Sequence, residues 1–94
     1  MPVVLIVEGL TEEQYEESVR RLIGKETAEA AADWPVGGLL AHIAGQGQNG
    51  FRVVDVWESQ EALEAFAEQL IPVMDEIGVQ GTNETYQTHS FVTA

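Results

Sequence analysis

The chain contains no cysteine, which rules out disulfide staples, thiolate metal sites and cysteine nucleophiles. Positive side chains are scarce: 4 lysines and arginines stand against 16 aspartates and glutamates, for a formal charge of −12. A protein that grips a phosphate backbone does so with lysine and arginine, so no nucleic-acid partner is expected. Anionic membrane surfaces are disfavoured for the same reason. No apolar run reaches the roughly 20 residues of a membrane-spanning helix. With 2 histidines and carboxylates at no ligand-like spacing, neither a metal nor another cofactor is expected. No serine sits in a nucleophile elbow, and there is no internal repeat or low-complexity tract. The opening residues MPVVLIVEG lack the basic segment of a signal peptide, so the expectation is a cytoplasmic protein that begins with a strand.

What the chain does have is enough apolar material for one core. Its 94 residues are 45% hydrophobic, which fits a single domain spanning residues 1–94. The organising stretch is Phe51 to Ile77. FRVVDVW is rich in β-branched and aromatic residues and predicts a strand. Phe51, Val53, Asp55 and Trp57 share one face of it; Arg52, Val54, Val56 and Glu58 share the other. Ser59 is a natural N-cap for a helix whose stripe is Leu63, Phe66, Ala67, Leu70, Ile71, Met74 and Ile77. Pro72 interrupts that stripe and predicts a kink or two abutting helices. Gly78 is the expected stop.

Ahead of it, Pro2 to Glu8 predicts a first strand, with apolar side chains on both faces. Thr11 and Gln14 have capping-box spacing for a helix with Tyr15, Val19, Leu22 and Ile23 on its buried stripe. Glu16 with Arg20 and Glu17 with Arg21 form ion pairs on its wet face. Gly24 ends it, and Glu26–Asp33 has the composition of a short further helical piece. Trp34 to Gly38 reads as a turn, Leu39–Ala44 as a second strand and Gly45–Gly50 as a hairpin loop. Gly45-Gln46-Gly47 is no phosphate site, since it joins two strands. A last strand is expected over Glu84–Thr93. The order β-α-β-β-α-β is the α+β, ferredoxin-like plan: a four-stranded antiparallel sheet with both helices on one face. Strands apolar on both faces leave the other face needing a cover, and a twofold homodimer packed sheet to sheet supplies one.

The segment Leu39 to Ile77 carries a resemblance. The His-x-Ala-Gly at His42, the RVVDVWES strand and cap, and the alanine- and phenylalanine-bearing helix with its late proline resemble the dimeric α+β barrel superfamily. More narrowly, they resemble its small antibiotic biosynthesis monooxygenase-like members. The resemblance implies a pocket between sheet and helices for a small hydrophobic or aromatic molecule. It also implies cofactor-independent oxygenation of polyketide-like substrates, with polyketide cyclisation or a non-catalytic ligand-binding or structural dimer as alternatives. The asparagine, tryptophan and histidine set of the haem-degrading members is not matched, Trp57 covering only part of it.

Among individual residues, His42 and Asp55 are the leading pair. A register that pairs residue 42 with 53 or 55 puts His42, with Leu40 and Ala44, on the face of Asp55; a slip of one residue separates them. Together, the carboxylate would fix the imidazole tautomer, leaving His42 as a general base for a phenolic or enolic proton. The plainer alternative is a buried pair that only satisfies the core. Trp57, Tyr15, Phe66 and His89 are the candidate substrate-binding residues. Pro2 begins a strand and, less economically, matches the opening of the tautomerases, where an N-terminal proline is the base.

Overall fold

A computed structural model of the chain describes residues 1–25 and 28–94. The elements are β1 (Val3–Leu10), α1 (Glu12–Ile23), a single 3-10 turn (Ala31–Asp33), β2 (Leu39–Gly47), β3 (Gly50–Trp57), α2 (Gln60–Ile77) and β4 (Thr82–Gln87). The four strands form one sheet in the order β2-β3-β1-β4, every neighbour antiparallel. This is the expected ferredoxin-like βαββαβ arrangement. Val3, Leu5, Val7, Phe51, Val53 and Trp57 make one core with Leu63 and Phe66 of α2, and Tyr15 and Leu22 of α1 pack onto it. Both helices therefore cover the same face of the sheet.

The helix ends follow their sequence signals. Thr11 Oγ1 accepts from Gln14 N at 3.0 Å, and Gln14 Oε1 accepts from Thr11 N at 2.9 Å. This reciprocal pair fixes the first turn of α1. Gly24 and Gly78 close α1 and α2 in the left-handed conformation, with φ of 73° and 84°. Ser59 Oγ accepts from Ala62 N at 3.1 Å at the start of α2. On α1, Glu17 accepts from both Arg20 and Arg21.

Several elements depart from expectation. α2 is one helix through Pro72 rather than two. Pro72 and Glu68 both lie on the exposed side, so the Glu68 carbonyl that loses its partner can be solvated. The packed stripe of Phe66, Leu70 and Met74 holds the two halves in line. Ile71 is not part of that stripe but exposed. Of the expected helical piece Glu26–Asp33, the first two residues lie outside those described, and only Ala31–Asp33 is helical among the rest. The hairpin loop is shorter than expected: β2 runs to Gly47, which pairs with Gly50, leaving Gln48 and Asn49 as the turn.

β4 ends at Gln87 instead of reaching Thr93. Its last pairing is with Val3, and the residue just before β1 is Pro2, which has no N–H to offer. The Pro2 carbonyl instead accepts from both Thr88 N and Thr88 Oγ1 at 2.9 Å, and the ladder stops. Leu40 is a bulge: Leu39 pairs with Trp57 and Ala41 with Val56, so two steps on β2 match one on β3. Leu39 consequently enters the core while Leu40, expected beside His42, faces outward and is exposed.

The face turned away from the helices carries two apolar rows, in which Val4 and Val56 are already buried. One is Ala41, Val56, Val4 and Tyr86; the other is Ile43, Val54 and Ile6. Ile43 is 65% exposed and Tyr86 47%. A charged row follows, with Arg52 Nε 3.8 Å from Glu8 Oε2.

Candidate functional site

Strand register decides the site. His42 on β2 lies directly opposite Asp55 on β3, and Asp55 lies opposite Leu5 on β1. All three point to the helix-covered face. There His42 Nδ1 is 2.5 Å from Asp55 Oδ1, and the Asp55 residue is 3% exposed. Tyr15, one turn into α1, sets its hydroxyl 2.7 Å from His42 Nε2.

The proton positions follow from donor and acceptor inventories. A carboxylate only accepts, so Nδ1 carries the hydrogen and donates to Asp55. A ring in its neutral form then has its lone pair at Nε2, where the Tyr15 hydroxyl donates. Asp55, His42 and Tyr15 thus form one continuous hydrogen-bonded chain running from sheet to helix. Burial pushes the Tyr15 phenol above its ordinary value, and the nearby Asp55 charge pushes it further the same way. Tyr15 is held as a neutral hydroxyl.

Aromatic packing fixes the chain in place. The Tyr15 ring lies 4.9 Å from Phe51 and nearly parallel to the His42 ring at 5.9 Å. Trp34 also packs against His42, with ring centroids 4.6 Å apart and planes at 56°. Trp34 is carried by the segment ahead of β2, which Asp33 ties down. The Asp33 carboxylate accepts from Lys25 Nζ at 2.9 Å and from the backbone of Glu29 and Ala30 at 3.0 and 3.1 Å. The Lys25 bond first, and then the two backbone donors, lower its pKa from 3.8 to about 2.

Tyr15, His42 and Asp55 open onto a cavity of about 50 Å³ between sheet and helices. Apart from Ser18, whose hydroxyl donates to the Tyr15 carbonyl at 2.8 Å, the remaining wall side chains are hydrophobic, Leu5, Trp34 and Phe66 among them. A second cavity of about 190 Å³ lies outside, between residues 28–31 and the start of β2. Trp34 and His42 border both, so they form the partition.

No family model matches the sequence, and no curated protein matches it. Solved structures do match. Rv0793 from Mycobacterium tuberculosis superposes with a TM-score of 0.70 at 10% identity, over 99% of this chain and 100% of that one. SnoaB, a cofactor-independent oxygenase from Streptomyces nogalater, gives 0.62 at 8% identity, over 99% of this chain and 98% of its own. An antibiotic biosynthesis monooxygenase gives 0.57 at 19% identity, over 96% and 100%. The chain has the antibiotic biosynthesis monooxygenase-like fold. At these identities the likeness is one of fold, and the side chains of the site have to be read from this chain itself.

Within that monooxygenase-like fold, four of the six residues singled out from sequence meet: Tyr15, His42, Asp55 and Phe66 all line the cavity. Trp57 does not. It is wholly buried in the core, 4.8 Å from the Phe66 ring, and its Nε1 has no hydrogen-bond partner among the described residues. Its place is behind the cavity wall. His89 is also apart, exposed and beyond the end of β4, because that strand stops early. Pro2 is outside the cavity too, its carbonyl engaged by Thr88. Trp34 was missed as a site residue. The signal was a large indole in a nominal turn, which is seldom left in water. Among the described residues no group of three or more histidine, aspartate or glutamate side chains could hold a metal. No described helix is long and apolar enough to cross a membrane.

Proposed function

We propose that the cavity binds a small, flat, largely hydrophobic molecule with an acidic phenolic or enolic group, and that His42 is the base that receives its proton. The observation that carries this reading is the Asp55–His42–Tyr15 chain opening onto an otherwise hydrophobic cavity. Asp55 holds the imidazole in the tautomer that leaves Nε2 basic, and it stabilises the imidazolium that forms. A substrate deprotonated in a dry site becomes electron-rich enough to reduce oxygen itself. One oxygen atom then becomes a ring carbonyl and the other leaves as water, which is cofactor-independent oxygenation. SnoaB, which is described as a cofactor-independent oxygenase, shares the fold and supports the reading by analogy.

Size sets a condition. Sites for drug-sized ligands are roughly 300–1,000 Å³, and the inner cavity is far smaller at about 50 Å³. A tricyclic substrate needs the partition opened, so Trp34 must swing from His42 and join the two cavities. The apolar rows on the uncovered sheet face support a homodimer packed sheet to sheet, since a monomer would leave Ile43 and Tyr86 in water.

The experiment is a thermal-shift screen against planar phenols, quinones and anthrones, followed by oxygen uptake with any binder. A saturable rise in melting temperature is expected. Replacing His42 with alanine should slow uptake about 10²–10⁴-fold, the usual reach of a general base. Uptake unchanged in His42→Ala removes the role given to the histidine. Turnover without oxygen consumption moves the chemistry to cyclisation, with the same base. Binding without turnover leaves a ligand-binding dimer.

A further inference from the structure

Both ring nitrogens of His42 are already engaged. Nδ1 faces Asp55 at 2.5 Å, and Nε2 faces the Tyr15 hydroxyl at 2.7 Å. A ligand in the cavity therefore has no direct line to the base. It must either displace Tyr15 or act through it. Displacement is costly here. The Tyr15 ring packs against both Phe51 and His42, and it rides on a helix turn closed by the Thr11–Gln14 capping box. The hydroxyl, in contrast, has spare capacity. Having given its hydrogen to Nε2, its oxygen still has lone pairs for a second donor, and Tyr15 lines the cavity.

We infer that Tyr15 is a catalytic proton relay, and that the ligand it serves presents its acidic hydrogen on oxygen, as a phenol or enol, to the Tyr15 hydroxyl. This deepens the function proposed above and rests on it. The transfer balances without any outside reagent. The ligand O–H bond breaks as its hydrogen bonds to the Tyr15 oxygen, and the original Tyr15 O–H bond breaks as that hydrogen passes to Nε2. The products are a ligand anion, a neutral tyrosine and an imidazolium facing the Asp55 carboxylate. The ligand anion then accepts a hydrogen bond from the new Tyr15 O–H. The two transfers are concerted, because burial and Asp55 both oppose a free tyrosinate. The relay also implies a preference: acids whose proton is on carbon, with no enol form, cannot engage the hydroxyl and should be poor ligands.

The test uses 4-nitrophenol, whose acid and anion absorb at different wavelengths, with equilibrium dialysis to measure binding separately. At a pH where the free probe is mostly protonated, the wild-type protein should bind it with a clear gain of anion absorbance. His42→Gln should bind it and lose the gain. Tyr15→Phe, which keeps the ring, should also bind it and lose the gain. A gain retained or enlarged in Tyr15→Phe overturns the relay and makes Tyr15 a cover over the base, while leaving the ligand site standing. Binding to wild type without any gain likewise overturns the relay. Absence of binding to every form defeats the ligand-site reading and the relay with it. If Tyr15→Phe fails to fold, 3-fluorotyrosine in a Tyr86→Phe background provides the second test. Its more acidic hydroxyl should increase the anion absorbance, and an unchanged signal overturns the proposal.

Discussion

His42 and Asp55 are joined between sheet and helices at 2.5 Å, with side-chain exposures of 16% and 4%. Removing one partner and removing both should have opposite effects. Leucine at position 42 leaves the Asp55 carboxylate buried without its partner, a change that typically costs about 3–5 kcal/mol. For a domain of this size each kcal/mol is worth about 4–8 °C, so the melting temperature should fall by at least about 12 °C. Asp55→Leu is milder, because the orphan is then a neutral N–H near the edge of the cavity, at about 1–3 kcal/mol. The double variant His42→Leu/Asp55→Leu leaves neither of these orphans, only the half-buried Tyr15 hydroxyl without its acceptor. Matched apolar replacement of a buried pair is often neutral or stabilising by about 1–4 kcal/mol, and the cavity beside the pair gives the leucines room. The double variant should therefore be more stable than either single one and close to wild type. Urea unfolding of the four proteins measures this as a double-mutant cycle. A double variant as unstable as the sum of the single losses would refute the reasoning, because the two side chains would then be independent contributors to the core. Loss of ligand deprotonation alongside undiminished stability would mark a pair retained for chemistry.

Other outcomes follow from the same geometry. Trp34→Ala should merge the two cavities and admit larger planar ligands, read as new saturable thermal shifts. Its stability cost should stay below the about 3–5 kcal/mol of a fully buried tryptophan, because Trp34 is half-buried. The Asp33 clasp has a depressed carboxyl pKa, so its contribution is fully present above the ordinary value of 3.8 and is lost as pH falls through about 2. Trp34 fluorescence should hold steady through mild acid, and Asp33→Asn should loosen residues 28–34 at neutral pH, seen as faster amide exchange. Ile43→Glu, on the edge strand β2 and on the face turned away from the helices, should shift sedimentation from dimer to monomer while leaving 4-nitrophenol binding in place. A wild-type protein that sediments as a monomer at micromolar concentration overturns the dimer.

The fold was legible because each level of the sequence agreed. The two-faced strands, the Thr11 capping box, the Ser59 cap and the Gly24 and Gly78 stops all sit where the structure uses them. The site was half legible. Asp55 in the middle of an apolar strand demanded a partner, and residue type alone nominated His42. Whether they met depended on a register that no local pattern specifies. Leu40 was expected on the face of His42 and turns the other way, since a bulge leaves no mark in composition. Trp57 and His89 lie away from the cavity for tertiary reasons: one is packed behind Phe66, and the other lies past a strand cut short by the missing donor of Pro2. Trp34 looked like part of a turn because its role depends on a contact with a residue on another element.

The outward-turned Leu40 has a consequence for how this strand can change. Side chains on a strand alternate, so Leu39 and His42, one odd and one even, belong on opposite faces of a regular ribbon. The extra residue between them resets the count, and both point inward. The histidine's place in the site is thus a matter of parity as much as of identity. Loss of one residue there would keep every residue type of the chemistry and turn either the core leucine or the base outward. Length variation by a single residue in this strand is therefore a functional change, although the fold around it would persist.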